Sequence, residues 1–169
     1  CMQACPYDAI YLDPATDTTT LGLQNRADSH VRLAGSAGEV AAGCDILSIH
    51  VALGPETRGM VDASLLAKLK PDSVLVNTAR GGVVDIDALR AALDEGRLDG
   101  AALDVLPTEP IAPQHPLARH PRVLLTPHAA FYSGESEVEL RRKAALNIVQ
   151  WAATGRPMYP VVQGSKSPR

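Results

Sequence analysis

An α/β fold, a parallel sheet with crossover helices, is predicted by three features of the sequence. Short apolar runs of strand length alternate with helical patterns along the chain. Four successive strand ends carry polar or small-residue motifs: His50-Val-Ala-Leu53, Asn77-Thr-Ala-Arg-Gly-Gly82, Asp104 with Glu109 close behind, and Thr126-Pro-His-Ala-Ala130. Motifs gather in this way where the loops of an open parallel sheet converge. Finally, 169 residues with 46% hydrophobic and 21% charged side chains suit one globular domain with its own core, and exclude collagen-like, disordered and disulfide-scaffold classes.

The elements follow in order. Ala9–Leu12 reads as a short strand ending at Asp13-Pro14, Ala15–His30 as a loop, and Val31–Leu33 as a short edge strand. Ser36 with Glu39 has capping-box spacing and predicts a small helix to about Ala42. The run from Asp45 to His50 reads as a buried strand. Asp62 or Ser64 caps a helix over Leu65–Leu69, which Lys70-Pro71 stops, because proline lacks a donor and disfavours helical geometry before it. Ser73–Thr78 is the next strand. Asp85 opens a helix whose apolar face carries Ile86, Leu89 and Leu93, and Gly96 closes it. Gly100–Val105 is a strand, a proline-rich connection leads to a strand over Val123–Thr126, and a last helix runs from about Glu135 to Ala153. The tail Gln163–Arg169 is expected to be disordered.

A net charge of −3, with no clustering of Lys and Arg among aromatics, gives no electrostatic footprint for nucleic acid or a membrane surface. Three cysteines, Cys1, Cys5 and Cys44, make no disulfide framework and suit a reducing compartment. Every long apolar stretch is broken well short of the ~20 residues a membrane span needs. A cytoplasmic protein is expected.

If the strand ends share one sheet edge, an Arg, a carboxylate and a His converge there. Arg80 suits a substrate carboxylate through paired hydrogen bonds and polarises a neighbouring carbonyl, with Gly81-Gly82 allowing close backbone approach to a ligand. His128 suits proton exchange with the resulting hydroxyl, and Glu109, bonded to the imidazole, would orient it and favour its protonated form. His50, His115 and His120 are read as structural. Asp13 suits an adenosine ribose if its strand is the second of a dinucleotide-binding unit, and otherwise is a turn-forming Asp-Pro.

Over nearly the whole chain, Met2 to Val162, these residues resemble the NAD-binding domain of the D-isomer-specific 2-hydroxyacid dehydrogenases. The resemblance is carried by the runs Asp45–Gly59, Leu75–Asp85 and Gly100–Val105, by Thr108-Glu-Pro110, and by Leu125–Ala130. It implies a doubly wound, Rossmann-like sheet. It also implies a substrate-binding Arg80, an acid/base His128 with Glu109 as its partner, and hydride transfer between NAD and a small 2-oxo or 2-hydroxy acid. Nicotinamide or ribose contacts are implied for Thr78, Ala79 and Asp104, further contacts for Val51 and Ala129, and a ribose contact for Asp13 that favours NAD over its phosphorylated form. The run His128–Ser133 is most similar to the branch with the C-terminal binding proteins, which typically has Trp where Phe131 stands. Ala52 likewise stands where the family usually has proline.

Only 12 residues precede Asp13, too few for a first strand and a G-x-G-x-x-G turn about 20 residues before the ribose carboxylate. The expectation is therefore a partial NAD-binding domain over residues 1–162, truncated at its N-terminus, without a substrate domain, inactive alone and a homodimer when full length. Poor packing is expected for Cys1–Leu33, with the sheet split or re-paired before Asp45. Two rival readings are an NAD(H)-sensing dimerisation or corepressor-like module, and an electron-transfer remnant suggested by the C-x₃-C-P spacing of Cys1, Cys5 and Pro6.

Overall fold

The computed structural model describes residues 10–11 and 32–159. The chain divides into two compact units, Cys1–Ala130 and Phe131–Arg169. In the first, β1 (Ile10–Tyr11) pairs in parallel with β2 (Arg32–Leu33), while β3 (Ile46–Ile49), β4 (Val74–Asn77), β5 (Gly100–Leu103) and β6 (Val123–Leu125) form a separate parallel sheet in sequence order. The sheet is thus split where the sequence led us to expect it. Asp13, the three residues Cys1, Cys5 and Pro6, most of Cys1–Leu33 and the tail lie outside the described residues.

For four parallel strands in sequence order, the general right-handed crossover rule places the connections on one face. Burial follows. Ile49, Leu75, Asn77, Ala101 and Leu103 are buried under α1 (Ala37–Gly43), α2 (Ala63–Leu66) and α3 (Ile86–Asp94), whereas Ile46 and Leu124 on the opposite face are 54% and 64% exposed. The reading of Asp45–His50 as a buried strand is corrected accordingly: among the described residues β3 is an edge strand, and only Ile49 in it is buried.

The helices form for the reasons their boundaries suggested. Ser36 caps α1 by accepting from the Glu39 amide, while the Glu39 carboxylate accepts from Gly35 N–H, one residue before the partner in a standard capping box. Asp62, and not Ser64, caps α2, which ends at Leu66 in a looser turn through Leu69. Asp85 caps α3 by accepting from Asp87 and Ala88. At the other end Arg97 N–H reaches Ala92 O and Gly96 N–H reaches Leu93 O, a Schellman closure that needs the left-handed φ of +70° glycine adopts freely. The proline-rich connection contains an unforeseen 3-10 turn, Pro116–Arg119, whose Leu117 enters the core.

Leu66, Leu75, Leu89, Leu93, Leu98 and Leu103 are the centre of this core. Leu89 is fully buried on α3, so Leu89→Ala is expected to lower the unfolding free energy by about 3 kcal/mol through lost burial and a cavity, as read from the urea midpoint at unchanged m-value.

The second unit is α4 (Gly134–Thr154), opened by a Ser133–Ser136 capping box and closed at Gly155, with Tyr159 N–H donating back to Asn147 Oδ1 at 2.8 Å. None of its described residues is buried, and no described helix is long and apolar enough to cross a membrane.

Candidate active site

Three strand ends build the site. After β4, Asn77 faces the same side as Leu75, two residues earlier, and is 1% exposed. Its Oδ1 accepts from Ala79 N–H at 3.0 Å and its Nδ2 donates to Arg80 O at 3.0 Å, so one buried amide fixes the turn that presents Arg80. Arg80 is extended (φ −148°, ψ 140°), its Nη1 donates to Ala79 O at 2.6 Å, and a 3-10 turn over Gly81–Val83 follows at once.

After β5, Asp104 is 6% exposed and organises the loop that follows β6. Its Oδ1 accepts from Thr126 Oγ1 at 2.5 Å and Ala129 N–H at 2.8 Å, and its Oδ2 accepts from Ala130 N–H at 2.9 Å. Burial works against the charged form, but the bonds from Thr126, Ala130 and Ala129 outweigh it and hold the carboxyl below its ordinary pKa. His128, between the anchored residues, has φ +54°, a left-handed conformation that costs a β-carbon residue roughly 1–2 kcal/mol. Its own N–H is shared between Asp104 O and Thr126 O, both at 3.0 Å. The loop geometry therefore over-determines where the imidazole stands.

Glu109 completes the pair. Its Oε1 accepts from Leu106 N–H at 2.7 Å and its Oε2 lies 2.8 Å from His128 Nδ1. The Leu106 amide first, and then His128, hold this carboxyl below the ordinary glutamate value, so it is ionised at neutral pH and Nδ1 is the donor. Nε2 has no hydrogen-bond partner among the described residues. Both side chains are partly exposed, at 45% for His128 and 37% for Glu109, which leaves the ring reachable from solvent.

Of the expected site residues, Glu109, His128, Asp104 and Ala129 are brought into one connected cluster, and Arg80 and Ala79 stand on the adjoining loop. Thr78 is exposed there, Val51 is half-buried just past β3, and Asp13 lies outside the described residues. The organising roles of Asn77, Thr126 and the Leu106 amide were not foreseen. Asn77 alone had a readable signal, being a polar residue in register with a core leucine. A carboxylate has about four acceptor positions and Asp104 uses three, so one at Oδ2 suits an N–H donor such as a nicotinamide carboxamide. The donor set thus fits the cofactor that the resemblance implies. His115 and His120, read as structural, accept from Leu117 and Arg122 N–H through their Nδ1 atoms.

The description "D-isomer specific 2-hydroxyacid dehydrogenase, NAD binding domain" matches residues 1–130 and so takes in the Cys1-to-Cys5 stretch whose spacing suggested a cluster ligand set. A glyoxylate reductase of Aeropyrum pernix is 46% identical over 108 residues, covering 64% of this chain and 32% of that protein. A D-3-phosphoglycerate dehydrogenase of Haemophilus influenzae is 37% identical over 130 residues, covering 75% and 32%. Among solved structures, an NADPH-dependent glyoxylate/hydroxypyruvate reductase of Sinorhizobium meliloti in complex with NADP and malonate aligns with a TM-score of 0.73 at 32% identity, over 81% of this chain and 43% of that one. The NAD-complexed D-isomer specific 2-hydroxyacid dehydrogenase of Lactobacillus delbrueckii aligns with a TM-score of 0.70 at 32% identity, over 79% and 44%. The chain spans about a third of the length of these curated relatives. Its parallel sheet and the match over residues 1–130 agree, and the chain belongs to the D-isomer specific 2-hydroxyacid dehydrogenase family through that family's NAD-binding domain.

Proposed function

We propose that this chain is the cofactor-binding part of an NAD-dependent oxidoreductase that reduces a small 2-oxo acid to the D-2-hydroxy acid. The observation that carries the reading is the Glu109–His128 pair, 2.8 Å apart at the carboxyl edge of the parallel sheet, beside the Arg80 loop. Thr78, Ala79, Val51, Asp104, His128 and Ala129 would hold the cofactor at that edge, and Asp13 its adenosine ribose in the unphosphorylated form. The bound reduced nicotinamide supplies the hydride. Arg80 binds the substrate carboxylate and polarises the carbonyl, while His128 gives its Nε2 proton to the carbonyl oxygen as negative charge develops there. Glu109 holds Nδ1–H and keeps the ring oriented with Nε2 turned outward. The names of the relatives point to glyoxylate or hydroxypyruvate as first substrates to try. A homodimer in the cytoplasm is the accompanying proposal.

The test has two parts: NADH binding to this chain by fluorescence, and NADH oxidation by glyoxylate and hydroxypyruvate in a protein of the relatives' full length that carries it. Oxidation dependent on the 2-oxo acid is the expected result. Binding with no oxidation of any 2-oxo acid would replace this reading with a sensing module.

A further inference from the structure

We propose that Gly81 is a positioning residue whose bare backbone, seated against the Leu106–Pro107 peptide, sets the spacing between the loop that carries Arg80 and the loop that carries Glu109. The inference rests on the catalytic reading above and adds a residue that touches none of the reacting groups.

The geometry is specific to this glycine. A Cβ on Gly81 would lie 1.9 Å from the Leu106 carbonyl carbon and 2.3 Å from both Leu106 O and Pro107 N. All three are backbone atoms, so no rotamer change relieves the overlap, and the two loops must separate by more than an ångström to reach ordinary contact. The neighbouring Gly82 is different. Its added Cβ meets only the Leu53 methyls, at 3.1 and 3.3 Å, and the end of Arg58, which can move aside. Gly81 is not needed for its φ, since its backbone lies outside the left-handed region that Gly59, Gly96 and Gly155 occupy. What it provides is proximity to protein, which corrects the expectation that both glycines make room for a ligand.

The contact connects directly to the chemistry. Leu106, whose carbonyl abuts Gly81, uses its N–H to hold Glu109 Oε1, and the other oxygen of Glu109 holds His128. On the other side of the contact is Arg80, whose carbonyl is pinned by Asn77. Gly81 therefore joins the substrate-binding arginine to the acid/base pair through one backbone contact. The Glu109 carboxyl faces Leu106 N–H, His128 and Asp104, and its depressed pKa owes most to that amide, so displacing Leu106 should release it.

The deciding experiment is an NMR titration of the Glu109 carboxyl in the 169-residue chain, for wild type, Gly81→Ala and Gly82→Ala, which requires no turnover. In Gly81→Ala the Glu109 midpoint is expected to rise towards the ordinary ~4.3 and the Leu106 amide to shift, with both unchanged in Gly82→Ala. A folded Gly81→Ala chain with the wild-type Glu109 midpoint overturns the proposal, as do equal effects from the two alanines. Should Gly81→Ala not fold, a nuclear Overhauser contact between the Gly81 Hα and Pro107 Hδ protons in wild type supports the proposal, and its absence overturns it. In a full-length protein with turnover, Gly81→Ala is expected to lower kcat by about 10²-fold at unchanged NADH affinity. Absence of turnover in wild type would defeat the catalytic reading and leave the titration to decide the position of Gly81.

Discussion

His128→Ala is expected to lower kcat for a 2-oxo acid by about 10²–10⁴-fold, with NADH affinity nearly unchanged, in a protein of the relatives' full length that carries this chain. The size follows from the role. A positioned general acid contributes that range because its proton arrives as charge develops on the carbonyl oxygen, and no other described side chain bonded within the cluster offers a proton near neutral pH. Glu109 and Asp104 are acceptors whose pKa values are held down, and Thr126 has its hydroxyl directed at Asp104. Cofactor affinity should survive because His128 would meet the cofactor through the loop backbone, which Asp104 holds through Ala129 and Ala130, and not through the imidazole. Alanine must still adopt φ +54°, a conformation no easier for it than for histidine, so His128→Gly is a useful companion: it removes the ring and relieves the backbone. Both variants losing turnover equally would assign the loss to the missing imidazole. Turnover equal to wild type in either variant would remove His128 from the proton transfer.

Much of the fold could be read from local signals because those signals act locally. Asp85, Ile86, Leu89, Leu93 and Gly96 fix a helix from cap to Schellman closure within a dozen residues, and the observed α3 agrees with them. The contact between Glu109 and His128 was readable for a different reason: parallel sheets deliver strand ends to one edge, which brings the loops after β5 and β6 together. What escaped the sequence depends on neighbours remote in the chain. The run Ile46–Ile49 places an isoleucine on each face, and only the strand order and the exposure of Ile46 show that one of those faces is open. Gly81 and Gly82 are the same letter twice, yet 25 residues separate Gly81 from the Leu106 carbonyl that distinguishes them. Asp104 announced itself as polar at a strand end, but that it anchors a loop more than 20 residues away is a tertiary fact.

That anchoring makes Asp104→Ala the second change with a large expected effect, a loss of about 3 kcal/mol of stability in urea unfolding of this chain. Alanine leaves the Thr126 hydroxyl and the Ala129 and Ala130 amides without their acceptor in a nearly buried place, and the left-handed backbone at His128 is then held only by its own N–H bonds and the Glu109 contact. Asp104→Asn separates charge from shape, since its amide oxygen can still serve Thr126 and Ala129 while its NH₂ faces the Ala130 N–H, donor against donor. The pH dependence gives the sign. A carboxyl whose folded pKa lies below its unfolded value of ~3.9 contributes stability that is fully present above that value and is lost as pH falls through the folded pKa. Glu109 contributes in the same direction from its own depressed pKa, with an unfolded value of ~4.3. Wild type is therefore expected to lose stability steeply as pH falls below ~4, and Asp104→Asn to lose it with a shallower slope, because the more deeply buried of these two depressed carboxyls is gone while those of Glu109, Glu135 and Glu139 remain. The comparison is read from urea midpoints taken between neutral pH and the acid limb. Identical acid slopes in the two proteins would mean that the Thr126, Ala129 and Ala130 bonds do not favour the charged form of Asp104, and that the His128 loop is held by something else.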